Sequence, residues 1–279
     1  MRVESAIKDA FLKLKKKKIN SALLDSEILM SKAINKNREF IILNLQQELN
    51  KDDYFYFKEL INERSKGKPI AYLTGKKSFW KYDFEINENV LIPRPDTEIL
   101  VEQVLNIYKN KRNLNLLDIG SGSGCILLSI LKEKKHFYGT CIDLSNECLK
   151  ISKINADKLG IKNRIKFFKS DIDNFTYGKY DLIVSNPPYI KKLDLKYLEK
   201  DVVNFEPKCA LDGGVDGISE IRKIVKRSSE LIKTSGKLIL EIAFNQKKEV
   251  RQLLINNGFF INSVIKDLAK NDRCIISSK

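Results

Sequence analysis

The sequence predicts an α/β protein in which a doubly wound, Rossmann-like sheet of mixed strands follows a small N-terminal helical domain. Three observations carry this. After Asn113 short apolar runs alternate with helical segments, as strands buried on both faces and joined by crossover helices do. One run, "LLDIG", passes straight into the glycine-rich "SGSG" and then an apolar helix, the strand-turn-helix order of nucleotide-binding folds. Before about residue 75 the apolar residues recur at helical spacing instead.

The helical part, residues 1–75, has Ile7, Ala10, Phe11 and Leu14 on one stripe, then Leu24, Ile28 and Leu29, then Tyr54 to Ile61. The lysine cluster "LKKKK" ends the first amphipathic helix. From Ser78 the period changes to two, and Phe79 to Ile86, the turn "NEN" and a strand Val90 to Ile92 read as a hairpin, so 76–95 is expected to link two domains. In "PRPDTEILVEQVL" the prolines restrict the approach to a helix capped by Asp96 or Thr97, which opens the second domain, 96–279. Strands are expected at Leu114 to Ile119, Phe137 to Ile142, Ile165 to Lys169, Tyr180 to Val184 and Lys237 to Ile242. An antiparallel pair, Phe259 to Ile265 and Arg273 to Ile276, closes the sheet.

With 43% hydrophobic residues in 279, the chain can bury a substantial core. Met1 to Lys18 is charged throughout, and no run approaches a membrane span, so a soluble cytoplasmic protein is expected. Five cysteines, with no C-x-x-C pair, signal neither a zinc site nor a disulfide framework, and read as small core residues. The formal charge of +15 suggests an anionic partner, but the lysines are spread along the chain, so solvated surface is the plainer reading and no stable nucleic-acid binding is expected.

Candidate ligand residues fall at strand ends. Gly120, Gly122 and Gly124, interleaved with Ser121 and Ser123, let backbone N–H groups approach a ligand where side chains would block it. Their G-x-G-x-G spacing is tighter than that of dinucleotide binders, and a glycine turn without a ligand is the plain alternative. Asp143 ends the next strand, where a carboxylate accepts hydrogen bonds from two ribose hydroxyls; a helix cap is the competing role. Asp118 sits beneath the glycine turn, and Asp171 ends the third strand, where an adenine amino group would be met.

The fourth strand leaves through "SNPPYI". Each proline holds the residue before it extended, so Asn186 and Pro187 form a stiff exit that presents a side-chain oxygen and a carbonyl as two fixed acceptors. Two such acceptors with the flat ring of Tyr189 beside them suit a planar –NH2 group. Engaging both hydrogens of a delocalised amide favours pyramidal nitrogen and localises its lone pair, an interaction that strengthens as positive charge develops. Alone, Asn-Pro-Pro reads equally well as a turn. No Walker A sequence, nucleophile elbow or cluster of metal ligands offers rival chemistry, and the single histidine, His136, lies where a surface residue is expected.

"LLDIGSGSG", "CIDLS" and "SNPPYI", in this order, resemble a class I S-adenosylmethionine-dependent methyltransferase. "IPRPDTE", "NFEPKCALDGG" and "DGISEIRKIV" narrow the resemblance to the HemK/PrmC family, and the likeness runs nearly end to end. Members methylate N5 of the glutamine in the Gly-Gly-Gln motif of class 1 peptide chain release factors, leaving S-adenosylhomocysteine. The resemblance implies that Gly120 to Gly124 hold the methionine and ribose portions of the cofactor, with Asp143 on the ribose hydroxyls and Asp118, Asp171 and Ile172 nearby. It further implies that Asn186 and the Pro187 carbonyl, with Pro188 and Tyr189, hold the glutamine amide close to the cofactor. Arg94 is implied to shape the pocket, and residues 1–75 to dock the release factor. No metal and no dedicated general base are expected, and the protein is expected to be a monomer. Three positions depart from the family pattern: Asp96 stands for a usual Glu, Ile172 for a frequent aromatic and Ala243 for a common Gly. Competing readings are a glutamine methyltransferase of a ribosomal protein, an adenine-N6 methyltransferase of nucleic acid, and a non-catalytic module; no target-recognition insert follows the Asn-Pro-Pro-Tyr loop to support the second.

Overall fold

The computed structural model describes all 279 residues. They group into two compact units, Met1–Lys76 with Glu199–Phe205, and Lys77–Leu198 with Glu206–Lys279.

The first unit is helical: α1 (Val3–Lys16), α2 (Ala22–Ala33), α3 (Arg38–Leu43), α4 (Lys51–Ser65) and α5 (Ile70–Thr74), joined by the short later helix α9 (Lys200–Phe205). Asn37 and Asn50 start α3 and α4 by accepting from the N–H of Phe40 at 2.9 Å and of Asp53 at 2.7 Å, caps typically worth about 1 kcal/mol each. The α1 stripe of Val3, Ala6, Ile7, Ala10 and Leu14 is buried. In α2 the buried apolar positions are Ala22, Leu29, Met30 and Ala33. Leu24, expected on that stripe, is exposed, because the buried face is taken by Asp25, which meets Arg64 of α4 at 2.7 Å. Arg64 also bonds Asp201 of α9 at 3.0 Å and the carbonyls of Gly67 and Lys68. Those bonds tie Glu199–Phe205, which the sequence reading grouped with the second domain, to the helical unit.

The second unit opens with a hairpin, β1 (Lys76–Phe79) and β2 (Tyr82–Glu85). Its turn lies at Trp80–Lys81, not at Asn87–Asn89. Trp80 takes a positive φ of 58° and donates its N–H to Glu98 at 2.7 Å. Val90–Ile92, expected as a strand, does not form one. Val90 and Ile92 are buried, but the N–H of Ile92 goes to the carboxylate of Glu206 and Pro93 has no N–H for a ladder.

Next come α6 (Glu98–Ile107), β3 (Leu114–Ile119), α7 (Cys125–Glu133), β4 (Phe137–Asp143), α8 (Asn146–Lys158), β5 (Ile165–Lys169) and β6 (Tyr180–Ser185). α10 (Ser219–Leu231), β7 (Ile232–Glu241), α11 (Lys247–Asn256), β8 (Phe260–Lys266) and β9 (Asp272–Ser278) complete the chain. The sheet order is β5-β4-β3-β6-β7-β9-β8. β3 pairs in parallel with both β4 and β6, while β9 runs antiparallel to β7 and β8. β7 starts five residues before its expected Lys237, since Ile232 already pairs with Tyr180; the polar "KTSG" between hides this from an apolar-run search. Side chains alternate across the sheet. Leu116, Leu182 and Ile239 enter the core beneath α7, and Leu117, Ile183, Leu238 and Leu240 the core beneath α10 and α11. No helix is long and apolar enough to cross a membrane.

Candidate active site

The sheet order reverses at β3, whose chain successors lie at β4 and β5 on one side and at β6 and β7 on the other. Ligands of open α/β sheets bind beyond the carboxyl ends of strands at such a point. There Ile119 pairs with Ser185, and the Ser185 hydroxyl donates to the Ile119 carbonyl at 2.7 Å. The glycine turn after β3 and the Asn-Pro-Pro-Tyr loop after β6 therefore leave from adjacent strand ends.

Gly120, Gly122 and Gly124 all have positive φ, which is why the turn needs glycine. A side chain on Gly124 would strike Leu128 and Ser152 at 2.9 Å, whereas Gly120 and Gly122 face open space. Asp143, at the end of β4, accepts from the Gly122 N–H at 2.9 Å and the Ser145 N–H at 2.9 Å. Ser145, not Asp143, caps α8. Burial pushes the Asp143 pKa upward against these two bonds. From α8, Ser152 donates to the Gly122 carbonyl and Asn155 to the Ser123 carbonyl, each at 2.9 Å. Asn155 also exchanges two bonds with the backbone of Glu85, so β2 braces the turn.

Ser121 and Ser123 are buried, and beneath them Asp118 is 1% exposed. Neither of its carboxylate oxygens has a closed hydrogen bond. Burial, with the Asp143 charge adding to it, pushes Asp118 up to about 7. The Leu127 N–H lies near enough to favour its charge without closing a bond on either oxygen, and so underbonded a buried carboxyl beside a turn of free-facing glycines fits a ligand that carries a cationic group. Asp171 follows β5 and accepts from the Asp173 N–H at 3.1 Å. Ile172 beside it is buried in the core with Ile119 and Ile142.

The loop after β6 is held from behind. Gln246 donates to the carbonyls of Tyr189 and Gly217, each at 2.9 Å, and Ile190 exchanges backbone bonds with Leu211 and Gly213. A side chain on Gly213 would meet the Gly217 carbonyl oxygen at 2.6 Å and the Tyr189 carbonyl carbon at 2.9 Å, so "LDGG" is glycine-rich because two backbones meet there. Asn186 donates its Nδ2 to the Thr97 hydroxyl at 3.1 Å. The Tyr189 hydroxyl donates to Glu241 Oε1 at 3.1 Å. Burial raises the Tyr189 pKa well above the usual phenol value, while the positive charges of Arg273 and Arg94 pull it down. Arg94 itself is paired with the buried Glu206.

Sequence reasoning missed Thr97 as a partner of Asn186, together with Glu241, Glu206, Gln246 and Asn155. Thr97 was read only as a cap, and the others are ordinary polar letters whose signal is a long-range pairing. Cys209, unlike the other four cysteines, is exposed.

A sheet with this order, a glycine turn after its first strand and an acceptor loop after its fourth define a class I methyltransferase. Solved structures share that fold. A methyltransferase from Pyrococcus furiosus aligns with a TM-score of 0.55 at 18% identity, covering 73% of this chain and 91% of its own. The ribosomal protein L11 methylase of Lactobacillus delbrueckii subsp. bulgaricus aligns at 0.52 and 18% identity, covering 73% and 89%. The PrmC N-terminal domain family matches residues 5–75, and the methyltransferase small domain family residues 95–205. Among relatives, the release factor glutamine methyltransferase of Clostridium acetobutylicum is 37% identical across 99% of this chain and 98% of its own length. That of Fusobacterium nucleatum is 38% identical across 95% and 76%. The bifunctional methyltransferase of Rickettsia conorii is 35% identical across 99% of this chain, which spans only 57% of that longer protein. The chain belongs to the release factor glutamine methyltransferase family.

Proposed function

We propose that this protein transfers a methyl group from S-adenosylmethionine to the amide nitrogen N5 of the glutamine in the Gly-Gly-Gln motif of class 1 peptide chain release factors. The observation that carries the reading is the pairing of Ile119 with Ser185, which starts an acceptor-bearing loop beside a glycine turn. Bound S-adenosylmethionine supplies a sulfonium-activated methyl group and leaves as S-adenosylhomocysteine.

In this reading Gly120 to Gly124 line the cofactor with backbone N–H groups, Asp118 answers its cationic end and Asp143 the ribose hydroxyls, with Asp171 and Ile172 at the adenine end. Asn186 Oδ1 and the Pro187 carbonyl take the two amide hydrogens, Pro188 stiffens the loop, and Tyr189 packs on the amide plane. These acceptors gain strength as the nitrogen becomes positive, which stabilises the transition state more than the bound amide. Arg94 acts through its field on Tyr189. The helical unit docks the release factor. Cytoplasmic location and a monomeric state complete the reading.

Incubation with labelled cofactor and purified release factor tests it. Label is expected in the intact factor and absent when the Gly-Gly-Gln glutamine is replaced; label surviving that replacement refutes the target. A parallel arm with DNA and RNA addresses the competitor favoured by the +15 charge, and label there instead would select the adenine-N6 reading.

A further inference from the structure

Thr97 occupies the N-cap position of α6, where a threonine hydroxyl ordinarily accepts from a backbone N–H of the first turn. It makes no such bond. The preceding 3-10 turn, Pro95–Thr97, puts its backbone at φ −69° and ψ −19°, a helical conformation that turns the side chain out of capping geometry. The hydroxyl is instead 2% exposed and receives Asn186 Nδ2 at 3.1 Å. Having accepted there, Oγ1 keeps one hydrogen to give. Beside it lies Glu241, a residue 1% exposed, whose ionised form the Thr97 side chain favours. Glu241 takes the Tyr189 hydroxyl at 3.1 Å on Oε1, and its Oε2 is buried without a closed bond of its own.

With Glu241 ionised the donors and acceptors have one sense. A carboxylate accepts only, so Tyr189 donates to it and the remaining hydrogen of Thr97 turns towards it, while Thr97 accepts from Asn186, of which only the NH2 end donates. Reversing the Asn186 carboxamide would set its oxygen against Thr97 Oγ1 and turn its NH2 group outward, presenting donors where a substrate amide needs an acceptor. We propose that Thr97 and Glu241 are positioning residues: Glu241 holds Tyr189 and takes the remaining hydrogen of Thr97, and Thr97 thereby fixes which end of the Asn186 carboxamide faces the substrate. This rests on the methyltransferase reading for its consequence in rate, but the orientation of Asn186 is a property of the protein itself.

The test uses the full chain with Thr97→Val, which keeps the shape and removes the hydroxyl, Thr97→Ser, which restores it, and Glu241→Gln, which replaces an all-acceptor group. Misplacing a catalytic group by small distances costs on the order of a hundredfold, so Thr97→Val is expected to lower kcat by roughly 30- to 100-fold. KM for the release factor and Kd for S-adenosylmethionine should stay within about twofold, as a kcat-selective loss requires. Thr97→Ser is expected to recover most of the rate, and Glu241→Gln to lie between the two. Independently of turnover, the side-chain NH2 resonances of Asn186, assigned by their loss in Asn186→Ala, should shift and exchange faster with solvent in Thr97→Val but not in Thr97→Ser. Unchanged Asn186 resonances in Thr97→Val overturn the proposal, as does a Thr97→Ser enzyme as slow as Thr97→Val. If the wild type proves inactive on release factors, the substrate reading fails while the resonances still decide the orientation.

Discussion

The hydroxyl of Tyr189, in the loop after β6, donates to the Glu241 carboxylate at the end of β7, 3.1 Å away and 52 residues later in the chain. The bond joins the aromatic of the acceptor loop to a carboxyl that burial pushes up to about 7. Tyr189→Phe removes one of the few donors that hold Glu241 ionised. Leaving a buried acceptor short of a partner costs about 1–3 kcal/mol, and a lower denaturant midpoint with an unchanged slope would report it. No change in midpoint would mean the bond contributes nothing.

Asp118 gives a pH dependence. Its carboxyl titrates near 3.8 when free and about 7 when folded. Below the free value both states carry the proton. Between the two values only the folded state does, so stability falls as pH rises from about 4 and the loss is complete above about 7. A shift of about three units corresponds to about 4 kcal/mol as an upper order of magnitude. Asp118→Asn is therefore expected to be more stable than wild type at pH 8 and to show a flatter stability profile between pH 4 and 7, by thermal unfolding across pH. Glu241, shifted in the same sense, leaves a residual slope in the variant.

In the proposed function the same carboxyl links cofactor binding to protons. A cationic ligand beside Asp118 favours its ionised form, so binding near neutral pH expels a proton and affinity rises with pH through about 7. Calorimetry in buffers of different ionisation enthalpy reads the proton directly. Uptake in place of release would remove Asp118 from the cationic end.

In the helical unit, Arg64 joins Asp25 and Asp201 with little exposure of either Arg64 or Asp25. Removing one member of a buried pair typically costs about 3–5 kcal/mol. Arg64→Ala is expected to lose stability of that order and, because Asp201 is released too, to raise hydrogen exchange across Glu199–Phe205. Protection unchanged in that segment would show that the Arg64–Asp201 pair does not hold it.

How far the sequence could be read follows from which signals are local. Leu116 and Leu117 enter opposite cores, so the run "LNLLDI" announces a strand buried on both faces. Positive φ at Gly120, Gly122 and Gly124 explains why the turn is visible as three glycines. Val90–Ile92 has strand composition and strand-like burial but forms no strand, because Pro93 has no N–H and the N–H of Ile92 goes to the carboxylate of Glu206. Thr97 and Asn186 lie 89 residues apart. Their bond exists because α6 and the β6 loop meet at one end of the sheet, a consequence of strand order that neither residue's neighbours encode.

Asn186 concentrates the account. Nδ2 is committed to Thr97, and in the proposed function Oδ1 accepts from the substrate amide. Asn186→Ala is expected to lower turnover by about 100-fold or more, the scale of losing one preorganised group at a developing charge, with a much smaller change in cofactor Kd. Equal losses in both would make Asn186 a cofactor ligand alone.

The most direct measurement follows the substrate nitrogen itself. A release factor labelled with 15N in its glutamine side chains shows a two-proton amide signal for the Gly-Gly-Gln glutamine. After reaction with this protein and S-adenosylmethionine, that signal should be replaced by a one-proton methylamide signal. An intact two-proton signal on a factor that has nonetheless gained a methyl group would place the reaction elsewhere and contradict the grip proposed for Asn186 and Pro187.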